Sequence, residues 1–374
     1  MRLLFISLME NVWGGSEELW SKTAQYSLKC GDFVAISINY PEESSKIREL
    51  NNNGAIVIKR SHKSQSILVR ILHRLLRFDY DQGDWRILKT KKFDHVLISF
   101  GGAYDIQTYK ELQRLLLVKK ITYSIIQQYN CENIFLGNQE RFELREFFRN
   151  AANIFFVSER NKLTTERNLV CKLSNSKVIS NPAKNHESAN TSSHLPSLDV
   201  LKFGCVARFD VGIKNQDMLI QVFASENWKN RDFQLNLYGK GPGFEYLKEL
   251  VSFYGLADKV QFRGHVSVIE EVWIENHCML LASSSEGSPL SIIEAMYCSR
   301  PIIATNVGGN LELIDKTCGF VIPGVDIRSI AITLEEVWLK KDQLNEMGRN
   351  SYNRILSIHN RDSHKEIYKS MIIL

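Results

Sequence analysis

Two glutamates with seven residues between them carry the most readable chemistry in this chain. In Ala282-Ser-Ser-Ser-Glu286-Gly287-Ser288-Pro289-Leu290-Ser-Ile-Ile-Glu294-Ala-Met, an apolar run ends in small polar residues and a helical pattern begins. Pro289 suits the first helical position, with Ser288 before it as cap. A helix start leaves backbone N–H groups near Leu290 and Ser291 without intrahelical acceptors, and the helix dipole favours an anion there. Glu286 falls in the loop and Glu294 in the second turn, so both can face the C-terminal end of a strand, where open α/β sheets bind ligands. A carboxylate repels an anion directly, so its natural targets are sugar or ribose hydroxyls. Spacing alone leaves a second reading equally open: a capped surface helix with two solvated glutamates.

Other residues fit the same chemistry. Cys205-Val-Ala-Arg208-Phe-Asp-Val-Gly-Ile-Lys214-Asn215-Gln places two cations around the turn after a strand. A departing diphosphate gathers negative charge, which a guanidinium fork and an ammonium point charge can stabilise. Taken singly, each is an ordinary surface cation. Tyr238-Gly239-Lys-Gly241-Pro-Gly243 follows a strand, but its spacing is not G-x-G-x-x-G, and a dinucleotide site is a poor reading.

Positioning these groups requires a parallel sheet. At 374 residues the chain exceeds the size of one growing core, so two domains are expected. Leu3 to Leu8, Phe33 to Ile38, Ala55 to Ile58, His95 to Phe100, Ile121 to Ile126 and Ala152 to Val157 read as strands, with a helix from Glu17 to Lys29 capped by Ser16. Glu17 and Glu18 favour its first turn through the helix dipole. Residues 181–200, rich in Asn, Ser and Pro, read as a linker. A second βα series follows: Phe203 to Ala207, Gln234 to Tyr238, Val260 to Phe262, His277 to Ala282, Pro301 to Ala304 and Gly319 to Ile322. The reading is α/β, with two Rossmann-like doubly wound domains facing a cleft: residues 1–180 and 201–350, plus a C-terminal helix in 351–374 packing back on the first domain.

The composition, 44% hydrophobic and 24% charged, is that of a soluble globular chain. No apolar run approaches the ~20 residues of a membrane-spanning helix, and the first residues read as a buried strand rather than a signal peptide. Seven scattered cysteines without a C-x-x-C pair argue against a disulfide framework and a structural zinc site, and for reduced thiols in a cytoplasmic setting. The net charge is +5, and ten Lys or Arg against three Asp fall between Ile56 and Lys92. Within that stretch, Ile67 to Phe78 sets Arg70, Arg74 and Arg77 among apolar residues at helical spacing. It reads either as a core-facing helix with a basic outer side or as a helix lying on an anionic membrane surface. No aromatic-interleaved basic motif points to nucleic acid.

The segment Glu286-Gly-Ser-Pro-Leu-Ser-Ile-Ile-Glu294-Ala-Met resembles the E-x7-E motif of glycosyltransferase family 4, retaining enzymes of GT-B architecture. The resemblance runs from about Lys202 to Asn350 and takes in Arg208 to Asn215, Gly239 to Gly243, Asp258 to His265, Thr305 to Glu312 and Gly319 to Asp326. It implies that Glu286 contacts the donor sugar, that Gly287, Ser288, Pro289 and Leu290 offer backbone contacts to sugar and phosphate, and that Glu294 holds the ribose. It further implies that Arg208 and Lys214 grip the diphosphate and that Gly239 and Gly241 let the backbone approach the nucleotide. Asn215 stands where glycine is common, and His265 reads as structural. Gly14-Gly15-Ser16-Glu17 is similar to the family's first loop, placing Gly15 on the donor side.

One departure concerns the acceptor side. Relatives often carry histidine after the strand that here ends at Ile126, whereas this chain has Gln127-Gln128, which cannot take up a proton. Gln127 is nevertheless the acceptor-side candidate, because same-face attack lets the leaving phosphate accept the proton. The implied activity is transfer of a hexose-type sugar from a nucleotide-diphosphate sugar to a glycan or lipid-linked acceptor, in surface polysaccharide or glycoconjugate synthesis. No cofactor is implied, and Arg208 with Lys214 can stand in for a metal ion. A catalytically silent sugar-binding or scaffold subunit is the alternative, and the Gln127-Gln128 departure motivates it.

Overall fold

The computed structural model describes residues 1–10, 13–39, 44–60, 85–183 and 195–373. Among them, thirteen strands form two sheets, each entirely parallel. The first contains β1 (Arg2–Ser7), β2 (Phe33–Ile38), β3 (Ile56–Lys59), β4 (His95–Phe100), β5 (Tyr123–Gln127), β6 (Asn153–Phe156) and β7 (Ser176–Val178). The second contains β8 (Leu201–Val206), β9 (Phe233–Tyr238), β10 (Val260–Gly264), β11 (Cys278–Leu281), β12 (Ile302–Thr305) and β13 (Gly319–Ile322). Their spatial orders are β3-β2-β1-β4-β5-β6-β7 and β10-β9-β8-β11-β12-β13. Each order reverses once, beside β1 in the first sheet and beside β8 in the second. At such a reversal the loops leaving neighbouring strands diverge to opposite faces.

Helices cover both faces, so strand residues are apolar in both directions rather than alternating with polar ones. Leu4 and Ile6 of β1 enter one core cluster and Leu3 and Phe5 enter another. In β11, Cys278 and Leu280 pack on one side while Met279 and Leu281 pack on the other.

The chain divides into two units, residues 1–182 with 360–374 and residues 183–359. The expected 351–374 helix is in fact two pieces. Leu344–Ile358 belongs to the second unit, whereas Ser363–Ile372 joins the first, its Ile367 and Met371 buried with Leu19, Trp20 and Ala24. Most of the 181–200 stretch and all of residues 67–78 lie outside the described residues.

The helix Glu17–Lys29 keeps its expected bounds, but Ser16 makes no side-chain capping bond. Glu17 is buried rather than solvated beside the helix dipole, and Trp20 Nε1 donates to its Oε2 at 2.9 Å.

Candidate functional site

The second unit's strand order reverses between β8 and β11, and the loops that follow these two strands carry Lys214 and Glu286. After β8, Arg208 is exposed and forms no ion pair among the described residues. The short helix Val211–Lys214 then ends at Asn215, whose φ of +50° lies in the left-handed region. That conformation explains why glycine suits the position and why asparagine can replace it, since it enters this region more readily than most residues. The replacement adds a contact: Asn215 Nδ2 donates to the Ala282 carbonyl at 2.8 Å. Ser284 N donates to the Ile213 carbonyl at 2.7 Å, so the two loops are tied backbone to backbone as well.

This tie brings Lys214 Nζ to 2.5 Å from Glu286 Oε1. Ser283 Oγ donates to the same oxygen at 2.6 Å. Glu286 is 7% exposed. An ammonium has three donors, so one directed at Glu286 leaves two for an anionic ligand.

A third segment supports this loop from below. Thr305 Oγ1, at the end of β12, donates to the Ser283 carbonyl at 2.6 Å, and Gly309 N donates to the Gly287 carbonyl at 2.7 Å. Gly308 has φ of +49°, and a Cβ there would stand 1.9 Å from the Glu286 carbonyl oxygen. Glycine is required at this position on both counts.

The helix after the loop runs Leu290–Tyr297, with Pro289 as its cap residue rather than its first helical residue. The expected Ser288 cap is therefore displaced by one position, because Pro289 keeps an extended ψ of 124° and only its carbonyl joins the helix. No side chain caps this start. Its first N–H groups have no acceptor within the helix, the arrangement that suits an anion. Glu294 lies in the second turn and is half-buried.

The Gly239 to Gly243 turn packs closely on neighbouring backbone. A Cβ on Gly239, where φ is +149°, would meet the Ala207 carbonyl oxygen at 2.0 Å, and one on Gly241 would meet the Phe209 carbonyl oxygen at 2.3 Å. Phe209 N donates to the Lys240 carbonyl at 3.0 Å, and Gly243 N donates to the Phe209 carbonyl at 2.9 Å. These glycines seat the turn against the backbone that carries Arg208. His265, read as structural, is exposed.

In the first unit, Gly15 is exposed in the turn before Glu17. Gln127 ends β5 fully buried, its Nε2 near the carbonyls of Ala103 (2.7 Å), Tyr129 (2.5 Å) and Gly102 (3.2 Å). Among the described residues no group of three His, Cys, Asp or Glu side chains converges as a metal site. The sequence does hold one Asp-x-Asp triplet, Asp79-Tyr-Asp81, outside the described residues.

The structure thus gathers Lys214, Glu286, Gly287 and the Leu290 helix start around one loop, with Arg208 on the neighbouring turn. Sequence reasoning missed Ser283, Thr305 and the contact made by Asn215. The departure from glycine at 215 was the available signal for the last.

Residues 190–354 match the family model described as "Glycosyl transferases group 1". N-acetyl-alpha-D-glucosaminyl L-malate synthase of Bacillus anthracis is 32% identical over 139 residues, covering 37% of this chain and 35% of that protein. Alpha-D-kanosaminyltransferase of Streptomyces kanamyceticus is 28% identical over 141 residues, covering 37% and 36% respectively. The matched stretch therefore spans about a third of either relative. Over the whole chain, the structure resembles Anabaena HepE in complex with UDP and glucose, with a TM-score of 0.73, 16% identity and full coverage of both chains. It also resembles sucrose-phosphate synthase from Thermosynechococcus elongatus, with a TM-score of 0.71, 16% identity and 99% coverage of both. The chain has the GT-B fold, and its residues 190–354 carry the sequence pattern of the group 1 glycosyl transferases.

Proposed function

We propose that this chain is a retaining, metal-independent glycosyltransferase of the family 4 type, taking a hexose-type sugar from a nucleotide-diphosphate donor. The observation that carries the reading is the Lys214–Glu286 pair, held at 2.5 Å at the β8/β11 reversal beside an uncapped helix start. The donor diphosphate lies on Arg208, the remaining donors of Lys214 and the first N–H groups of the Leu290 helix, which stabilise the charge that develops as the glycosidic bond breaks. Glu286 binds a donor-sugar hydroxyl and Glu294 the ribose. Attack comes from the leaving-group face, and the departing phosphate takes the acceptor's proton, so no protonatable side chain is needed at Gln127. The acceptor is a glycan or a lipid-linked sugar of surface polysaccharide or glycoconjugate synthesis.

A thermal-shift screen with UDP-, GDP- and ADP-sugars tests donor binding without an acceptor, because a ligand that binds the folded state raises its melting temperature. No shift with any nucleotide sugar refutes the reading. Transfer lost in EDTA and restored by Mn²⁺ refutes metal independence.

The second reading is a silent sugar-binding subunit, favoured by Gln127, whose amide is turned inward. Nucleotide-sugar binding with neither transfer nor hydrolysis would establish it. No helix among the described residues is long and apolar enough to cross a membrane. We place the protein in the cytoplasm, and of the two readings of residues 67–78 the one at an anionic membrane surface is the testable one. Replacing Arg70, Arg74 and Arg77 by Glu should weaken binding to anionic liposomes, and unchanged binding overturns that assignment.

A further inference from the structure

Glu286 receives both of its protein donors on one oxygen. Lys214 Nζ lies 2.5 Å and Ser283 Oγ 2.6 Å from Oε1, and among the described residues no donor reaches Oε2. The terminal torsion of a glutamate is broad, so a carboxylate held by a single donor swings between its two oxygens. Two donors converging from different elements remove that freedom. Ser283 is itself held: its carbonyl accepts from Thr305 Oγ1 at 2.6 Å, and both residues are fully buried. The register that pairs Leu281 with Ala304 puts the ends of β11 and β12 side by side and brings Thr305 within reach of Ser283.

We infer that Ser283 is a positioning residue for transfer, and that with Thr305 it fixes Glu286 so that Oε2 is the atom presented to the donor sugar. Being fully buried, Ser283 and Thr305 act only through Glu286. The inference rests on the reading of Glu286 as the donor-sugar contact.

The test separates sugar recognition from diphosphate recognition. Ser283→Ala should lower kcat about ten-fold, the scale expected when a catalytic group loses its fixed geometry. The nucleotide diphosphate alone should bind within roughly two-fold of wild type, because its contacts are Arg208 and Lys214. The preference for nucleotide sugar over nucleotide diphosphate should therefore fall. Thr305→Val removes the hydroxyl at nearly constant volume and should repeat these effects, whereas Thr305→Ser, which keeps it, should behave like wild type. If Ser283→Ala does not fold, the Val and Ser pair at 305 decides alone. Unchanged kcat and unchanged preference in Ser283→Ala and Thr305→Val overturn the inference if Glu286→Ala abolishes transfer. A fully active Glu286→Ala removes the parent reading and this inference with it. A lower melting temperature with no change in kcat or preference reduces Ser283 to packing and also overturns it.

Discussion

The two sheets reverse strand order in the same manner, β1 beside β4 and β8 beside β11, yet their polar groups at these reversals are used in opposite ways. In the second unit, Lys214 and Glu286 meet each other but keep donors and an oxygen for a ligand. In the first, Arg60 and Gln127 direct donors at neighbouring protein groups, while Gln127 Oε1 and Gln128 Nε2 are buried without a hydrogen-bond partner among the described residues. Arg60 donates to Ser37 Oγ at 2.9 Å and to the Ser7 carbonyl at 2.5 Å, and its guanidinium lies 5.0 Å from the Trp85 ring centroid. Glu17 is buried, and desolvation pushes its carboxyl up to about 7 despite hydrogen bonds from Ser7 and Trp20 and the nearby charge of Arg60. Gln127 directs its amide at three carbonyls. The two reversals thus share a topology and differ in how their polar side chains are paired.

The largest effects should fall in the second unit. Glu286→Ala and Lys214→Ala should each lower turnover by ~10²-fold or more, the range for losing one transition-state stabiliser. Transfer at wild-type rates in both variants would break the comparison outright.

Next in size is a pH effect in the first unit. Folding raises the Glu17 carboxyl from its ordinary 4.5 to about 7, so between these values the folded chain holds a proton that the unfolded chain has released. Stability is full below this window, falls as pH rises through it and levels off above, a span of about 3 kcal/mol. His95 opposes the trend: burial pushes its imidazole down to about 4, so its contribution grows as pH rises toward 6.5. Glu17→Gln isolates the first term. Its urea midpoint relative to wild type should rise between pH 5 and pH 8, and a constant difference would mean that Glu17 is not held protonated.

Glycines sharpen the contrast further. Gly308→Ala forces a Cβ against the Glu286 carbonyl at positive φ and should cost about 2 kcal/mol or more, read as a lower urea midpoint. Gln127→Met should cost about 1 to 2 kcal/mol by leaving buried carbonyls without a donor, with nucleotide affinity unchanged. A nucleotide affinity that falls with Gln127 would place that residue at the ligand instead. Gly14→Ala, with open space around the added Cβ, should stay within about 0.5 kcal/mol of wild type.

Much of this arrangement was legible before the structure. The bounds of β2 follow from an apolar run and the end of the helix Glu17–Lys29 from Gly31, and the Glu286 loop announces itself through Pro289 and the change from apolar to small polar residues. β7 was missed because three residues, Ser176–Val178, with Lys177 and Val178 exposed at a sheet edge, carry no periodic signal. The cap was misplaced by one because local preference favours serine, while the observed ψ of Pro289 depends on the chain path. Ser283 and Thr305 were illegible for a deeper reason. Their bond joins residues 22 positions apart through strand register, which no local pattern encodes.

The division of the chain has a consequence for its synthesis. The first unit needs residues 360–374, which emerge from the ribosome only after the whole of the second unit, residues 183–359. Ile367 and Met371, which complete the core cluster of Leu19, Trp20 and Ala24, arrive only then. At about 5–20 residues per second, that wait lasts roughly 10 to 40 s. Of the two units, the one that begins earlier in the chain is thus completed later.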